Sequence, residues 1–213
     1  MQKYLFIILL IISFSKISAQ TILLEKPEIY LGISQGGTGS MLNFSPSVKQ
    51  DFLFGYNGGL FFRYVTEKGR ALQVELNYSQ RGWAEQENPY ARQLNYVEMP
   101  FLMHIYWGEK TRAFINLGPK ISYLLSENVL YNNSENSTNE RHTQDIYNKF
   151  DYGITLGAGL EFAFKKQHFF LEIRPNYSLS SVFSNNKRDT YTFSNNLNLA
   201  VNLAWLMQIN KNK

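Results

Sequence analysis

From Ala71 to Arg81, apolar and polar residues alternate with a period of two. Leu72, Val74, Leu76 and Tyr78 fall on one face of an extended chain, and Gln73, Glu75, Asn77, Ser79 and Arg81 on the other, because successive strand side chains point to opposite sides. After a polar stretch at residues 84–92 the alternation resumes from Asn95 to Trp107. Val97, Met99, Phe101, Met103, Ile105 and Trp107 form its apolar face, with Glu98 and His104 opposite. Strands of a soluble sandwich seldom exceed about ten residues. Long strands with charge on one face and aromatics at their ends fit a barrel that crosses a membrane.

The same pattern predicts eight strands: Glu28 to Gly36, Phe52 to Val65, the two segments above, Arg112 to Ser126, Phe150 to Phe164, His168 to Ser180 and Phe193 to Ile209. Their polar faces collect Arg63, Glu75, Arg81, Glu98, Lys120, Asp151, Glu161, Glu172 and Arg174. The apolar faces end in aromatics, with Tyr64, Tyr106, Trp107, Phe164 and Trp205 expected at one rim and Phe52, Phe54, Tyr78, Tyr123, Tyr152 and Tyr177 at the other. Connections at residues 66–69, 108–111 and 165–167 are tight, and they interleave with longer ones at 37–51, 83–92, 127–149 and 181–192. Short periplasmic turns alternating with longer external loops are the habit of outer-membrane barrels, and both termini would then lie in the periplasm. The expected fold is all-β: an eight-stranded antiparallel up-and-down transmembrane β-barrel.

Residues 1–19 read as a signal peptide. Met1-Gln2-Lys3 is a basic start, Leu5 to Ile12 an apolar run, and Ile17-Ser18-Ala19 a cleavage site. That run is too short for a spanning helix, so residues 20–213 remain as one barrel domain. No cysteine occurs, which excludes a lipid-anchoring cysteine and disulfides. Lys3 and Lys16 lie in the signal segment, so 19 of the 21 basic residues are left against 17 acidic ones. That balance is too even for a nucleic-acid partner. No later segment carries about 18 consecutive apolar residues, so a membrane-crossing form must be a closed barrel, which satisfies its backbone hydrogen bonds without helices.

Candidate chemistry is sparse. Glu75, Glu98 and His104 share the polar face and could hold a metal or act as an acid–base pair. A charged interior neutralised by Arg63, Arg81, Lys120 and Arg174 explains them better, because an eight-stranded barrel is narrow enough for side chains to fill. Gly36-Gly37-Thr38-Gly39 lacks the Lys-Ser/Thr and helix of a phosphate loop and reads as a flexible first loop. Asn-x-Ser/Thr triplets at Asn43, Asn77, Asn132, Asn136 and Asn176 read as composition. A sugar-binding surface would use the same aromatics, but their place at strand ends suits membrane interfaces. No catalytic, cofactor or metal residue is assigned.

Short phrases in order resemble the PorT-type outer-membrane β-barrel proteins. They are Leu31-Gly32-Ile33-Ser34, Gly58-Gly59-Leu60-Phe61-Phe62, Leu76-Asn77-Tyr78-Ser79-Gln80-Arg81-Gly82, Leu94-Asn95-Tyr96-Val97-Glu98-Met99-Pro100 and Asn116-Leu117-Gly118-Pro119. Asp151-Tyr152-Gly153, Gly157-Ala158-Gly159-Leu160-Glu161-Phe162 and Leu171-Glu172-Ile173-Arg174-Pro175-Asn176-Tyr177 complete the series. Tyr96-Val97-Glu98-Met99-Pro100 is the most specific of them. The resemblance implies a barrel of eight strands in a Gram-negative outer membrane and, for the name-giving member, a part in secretion to the cell surface. Such barrels often end on an aromatic residue, a role that would fall here to Trp205 or Ile209.

The expected protein is therefore a monomeric, non-enzymatic barrel in outer-membrane lipid, acting through external loops or through secretion or envelope partners. The alternatives are a small membrane-embedded enzyme of the lipid-modifying or protease type, for which His142 is the one well-placed histidine, and a soluble ligand-binding calyx. The calyx would need a polar exterior. The mature protein should fractionate with outer membranes and change gel mobility on boiling; recovery from soluble periplasm would count against a barrel in the membrane.

Overall fold

The computed structural model describes residues 23–86, 90–132, 142, 144–184 and 192–210. The expected signal peptide and the polar run from Asn133 to Asn139 lie outside these residues. The elements are β1 (Leu23–Ser45), β2 (Gln50–Asp51), β3 (Leu53–Glu67), β4 (Arg70–Glu85), β5 (Tyr90–Gly108), β6 (Thr111–Asn132), β7 (Phe150–Phe164), β8 (Gln167–Ser181) and β9 (Phe193–Gln208). All pairings are antiparallel, in the order β4-β3-β1-β9-β8-β7-β6-β5, and β5 pairs back onto β4, so eight long strands form a ring.

Among the described residues nine strands stand where eight were expected. The extra one, β2, is two residues long and pairs with Ala84 and Glu85 at the end of β4. Strands also reach further than alternation indicated. The Gly36–Gly39 run is not a flexible loop: it lies in the middle of β1, opposite Asn57–Phe54 on β3 and Asn202–Leu199 on β9. Glycine has low strand propensity, but pairing on both edges outweighs it here. Gly36 also needs its missing side chain, because a Cβ there would fall 2.6 Å from the Asn202 Oδ1. Likewise β4 continues to Glu85, β5 starts at Tyr90 and β6 runs to Asn132. The expected long connections shrink accordingly.

Where the strands were recognised, the two faces fall as alternation requires. Leu72, Leu76, Phe101, Met103, Leu156 and Leu199 are exposed outside, whereas Gln73, Glu75, Asn77, Ser79 and Arg81 are buried within the ring. The three tight turns each carry one residue of positive φ, namely Gly69 (88°), Gly108 (111°) and Lys165 (54°). Hairpin turns favour this handedness because it matches strand twist, and glycine adopts it without steric cost.

Inside, the ring is stratified. Near the tight turns Tyr30, Phe61, Val65, Phe114, Phe170 and Leu206 form one apolar layer, joined by Tyr106. At the opposite end Leu42, Phe44, Trp83, Tyr90, Leu94 and Phe183 are prominent in a second. Polar and charged side chains occupy the height between. The alternation of turns with longer connections predicts that a cysteine at Tyr147, among the longer ones, reacts with an impermeant thiol reagent on intact cells while one at Lys166 does not. The opposite labelling would reverse the orientation.

Candidate functional site

All nine charged residues read from the polar faces are buried inside the ring. Arg174 on β8 grips Glu75 on β4 with both terminal nitrogens, Nη1 to Oε2 at 2.6 Å and Nη2 to Oε1 at 2.7 Å. Its Nη2 also donates to Glu172 Oε2 at 2.6 Å. Such forked charge-assisted bonds are among the strongest a side chain makes. β4 and β8 lie opposite each other in the ring order, so this pair crosses the interior. Arg63 on β3 and Glu161 on β7, again opposite strands, meet at 2.5 Å.

The two pairs are linked by neutral groups. Arg63 Nε donates to Gln73 Oε1 at 2.8 Å, and Gln73 Nε2 donates to Glu75 at 2.5 Å. On the far side Asn116 Nδ2 donates to Glu172 at 2.7 Å while its Oδ1 lies 2.7 Å from His104 Nδ1. Glu161 further holds His168 Nδ1 at 2.9 Å and Arg112 Nη1 at 3.1 Å. His104 and Glu75, candidates for acid–base work, are thus tied into this net. Among the described residues, no three His, Cys, Asp or Glu side chains are grouped to hold a metal ion.

A third group sits nearer the longer connections. Arg81 contacts Glu98 at 2.9 Å and Asp151 at 3.1 Å, Lys120 reaches Glu98 at 3.4 Å, and the Arg81 guanidinium lies 4.0 Å from the centre of the Tyr96 ring. Ser178 and Ser180 donate to Asp151. Gly157 takes part without any side chain: a Cβ there would collide with the Glu172 carboxylate.

Among the rim aromatics, Trp107, Phe164 and Trp205 are exposed on the outer face and Tyr64 is half-buried there. Tyr106 differs. It neighbours Trp107 along β5 and so cannot share its face. Its ring turns inward, 5.5 Å from His104 and 4.6 Å beneath the Arg112 guanidinium, in the apolar layer near the tight turns. At the other rim Phe52, Phe54, Tyr78, Tyr123, Tyr152 and Tyr177 are all exposed.

The end bearing the longer connections is closed by side chains that alternation did not single out. Arg92 pairs with Glu127 at 2.7 Å and donates to the Gln144 carbonyl at 2.7 Å. His142 stacks flat on Tyr90, with ring centres 3.9 Å apart, and its Nε2 lies 3.2 Å from Glu85 Oε2. Trp83 Nε1 donates to the same carboxylate at 3.3 Å. The signal for both apolar layers was present as large residues at inward parity, such as Phe61, Phe114, Phe170 and Trp83.

A family model described as outer membrane protein beta-barrel domain matches residues 19–184 of the chain. Among solved structures, the chain is similar in fold to the outer membrane protein OprG of Pseudomonas aeruginosa, at 9% identity over 87% of this chain and 96% of that one, with a TM-score of 0.52. Neisserial surface protein A aligns at 11% identity over 87% of this chain and 100% of that one, with a TM-score of 0.48. No curated protein matches the chain by sequence.

Replacing Glu98 with Ala leaves Lys120 without an ion-pair partner among the described residues and Arg81 with Asp151 alone. Breaking a buried pair from one side costs roughly 3–5 kcal/mol. Val97→Ala trims a partly exposed outer side chain. The unfolding midpoint should fall further for Glu98→Ala than for Val97→Ala, and the reverse order would show that the interior charges do not hold the ring.

Proposed function

Because the chain belongs to the family of outer membrane protein β-barrel domains, we propose that its eight long strands form an up-and-down transmembrane β-barrel with a filled interior. It works without catalysis, as a monomer in outer-membrane lipid, through its outer loops and the proteins they meet. The observation that carries this reading is the filling of the ring: two apolar layers with paired charges between them. Charges removed from water need partners, and here side chains from several strands of the ring supply them. The exposed leucines, phenylalanines and isoleucines outside suit contact with acyl chains.

Among the described residues the interior charges are engaged with one another, so the parts left to meet other molecules are those beyond the rims. A role in secretion, which the PorT-type resemblance implies for the name-giving member, or in the envelope fits a protein that acts by contact. The membrane-enzyme alternative would start from His142 and Glu85, 3.2 Å apart at the mouth. Among the described residues no hydroxyl or thiol is hydrogen-bonded to the His142 ring, and one of its faces is covered by Tyr90. That pair is better read as a fastening of the mouth.

Purified protein in planar bilayers should show no stable channel. Steady conductance of porin size would replace the filled barrel with a pore.

A further inference from the structure

The outer wall of the ring is apolar with one exception. Along β1 the outward positions from Ile29 to Met41 are Ile, Leu, Ile, Gln, Gly, Gly and Met, so Gln35 stands in the middle of the band. Ile33 on one side of it pairs with Trp205 of one aromatic rim, and Gly39 on the other pairs with Phe54 of the opposite rim. Between the rims, among the described residues, no other outward position of the ring carries a charge or a carboxamide. Gln35 is exposed, and among the described residues its side chain has no hydrogen-bond partner.

The wall around this amide is low. Directly beside Gln35 lie Gly58 on β3 and Leu203 on β9, and Gly37 and Gly39 follow it along β1. A Cβ on Gly58 would collide with the Tyr56 hydroxyl, so that ring lies across the bare backbone next to Gln35. Two hollows adjoin here. One, of about 530 Å³, is lined by Ile33, Gln35, Tyr56, Leu203 and Trp205 among others, and the next, of about 460 Å³, by Gly37, Gly39, Phe54 and Leu199 among others.

We propose that Gln35 pairs with Gln35 of a second copy of this chain, across a two-fold axis along the membrane normal. The proposal rests on the transmembrane reading above and goes beyond it: each barrel stays a complete working unit, and a wall contact is added between units. A carboxamide carries two N–H donors and two acceptor lone pairs, more than the Tyr56 hydroxyl can fill. Acyl chains offer neither donor nor acceptor, and an amide left unpaired in hydrocarbon is costly. The carboxamide is its own complement, since two of them set head to tail exchange two N–H···O bonds. Copies inserted the same way carry the group at the same depth, so a two-fold axis brings the pair together. Strands tilted by about 40° then cross at roughly 80°, and the contact is short and centred on Gln35. Bare backbone at Gly37, Gly39 and Gly58 lets the walls approach, as small residues do in other membrane contacts. The hollows receive side chains of the facing wall.

The test uses the full chain in liposomes. The chain has no cysteine, so Lys166→Cys in a tight turn takes a donor or an acceptor dye at one place. Energy transfer between labelled copies should exceed that of random proximity and fall along a dimer curve as lipid is added. Gln35→Leu should weaken association at least tenfold. Gly37→Ile should weaken it too, because it raises the wall at a position with room for a side chain. Leu156→Ala, on β7 across the ring, should leave it unchanged. Transfer at the random level throughout, or association as strong in Gln35→Leu as in the parent, overturns the proposal. Gel mobility that changes on boiling reports the barrel separately: its absence in the parent would count against the transmembrane reading itself.

Discussion

One requirement organises this structure: backbone polar groups shut away from water must find partners within the protein. Here they do so laterally, strand to strand, and the sheet has to close on itself through the β4–β5 and β1–β9 pairings. Closure fixes two surfaces of opposite character. With a side-chain period of two, each strand must be apolar outward, while inward it faces a space too narrow to be left as solvent. The ion network answers that second demand, and the glycines at inward positions leave it room.

Much of this was legible in the chain because period-two alternation is strong wherever one face is apolar and the other lines the interior. Leu72 to Tyr78 and Phe150 to Phe164 could be assigned residue by residue, and so could the charges opposite them. Legibility failed where that contrast fades. In β1 the positions from Gly37 to Ser40 are Gly, Thr, Gly and Ser, small residues without a distinct apolar face, and only pairing with β3 and β9 makes them a strand. In β5 and β6 the segments beyond Asn95 and Ser126 extend past the outer aromatics, and burial no longer alternates along them.

The candidate site shows the same division. Parity placed Arg63, Glu161, Glu75 and Arg174 inside, but it could not say which carboxylate each arginine would meet, since partners come from strands far apart in sequence. Nor did it separate heights along the barrel. Phe61, Phe114 and Phe170 share the inward face with charged residues, and only their position near the tight turns collects them into a layer. Tyr106 was misplaced for a related reason: aromatic identity at a strand end was given more weight than the face it must occupy.

The ion pairs that cross the interior also have a mechanical meaning. A ring of hydrogen-bonded strands can flatten into an ellipse while keeping nearly all its wall bonds, so the wall alone offers little resistance to squeezing. Arg174–Glu75 and Arg63–Glu161 span the ring between opposite strands, and their ends lie one strand apart at each side. They behave as two spokes set at an angle, each opposing flattening along its own direction. The cross-section of the ring is thereby held from within, and a force that squeezes it from the side meets a stiff column rather than a soft tube.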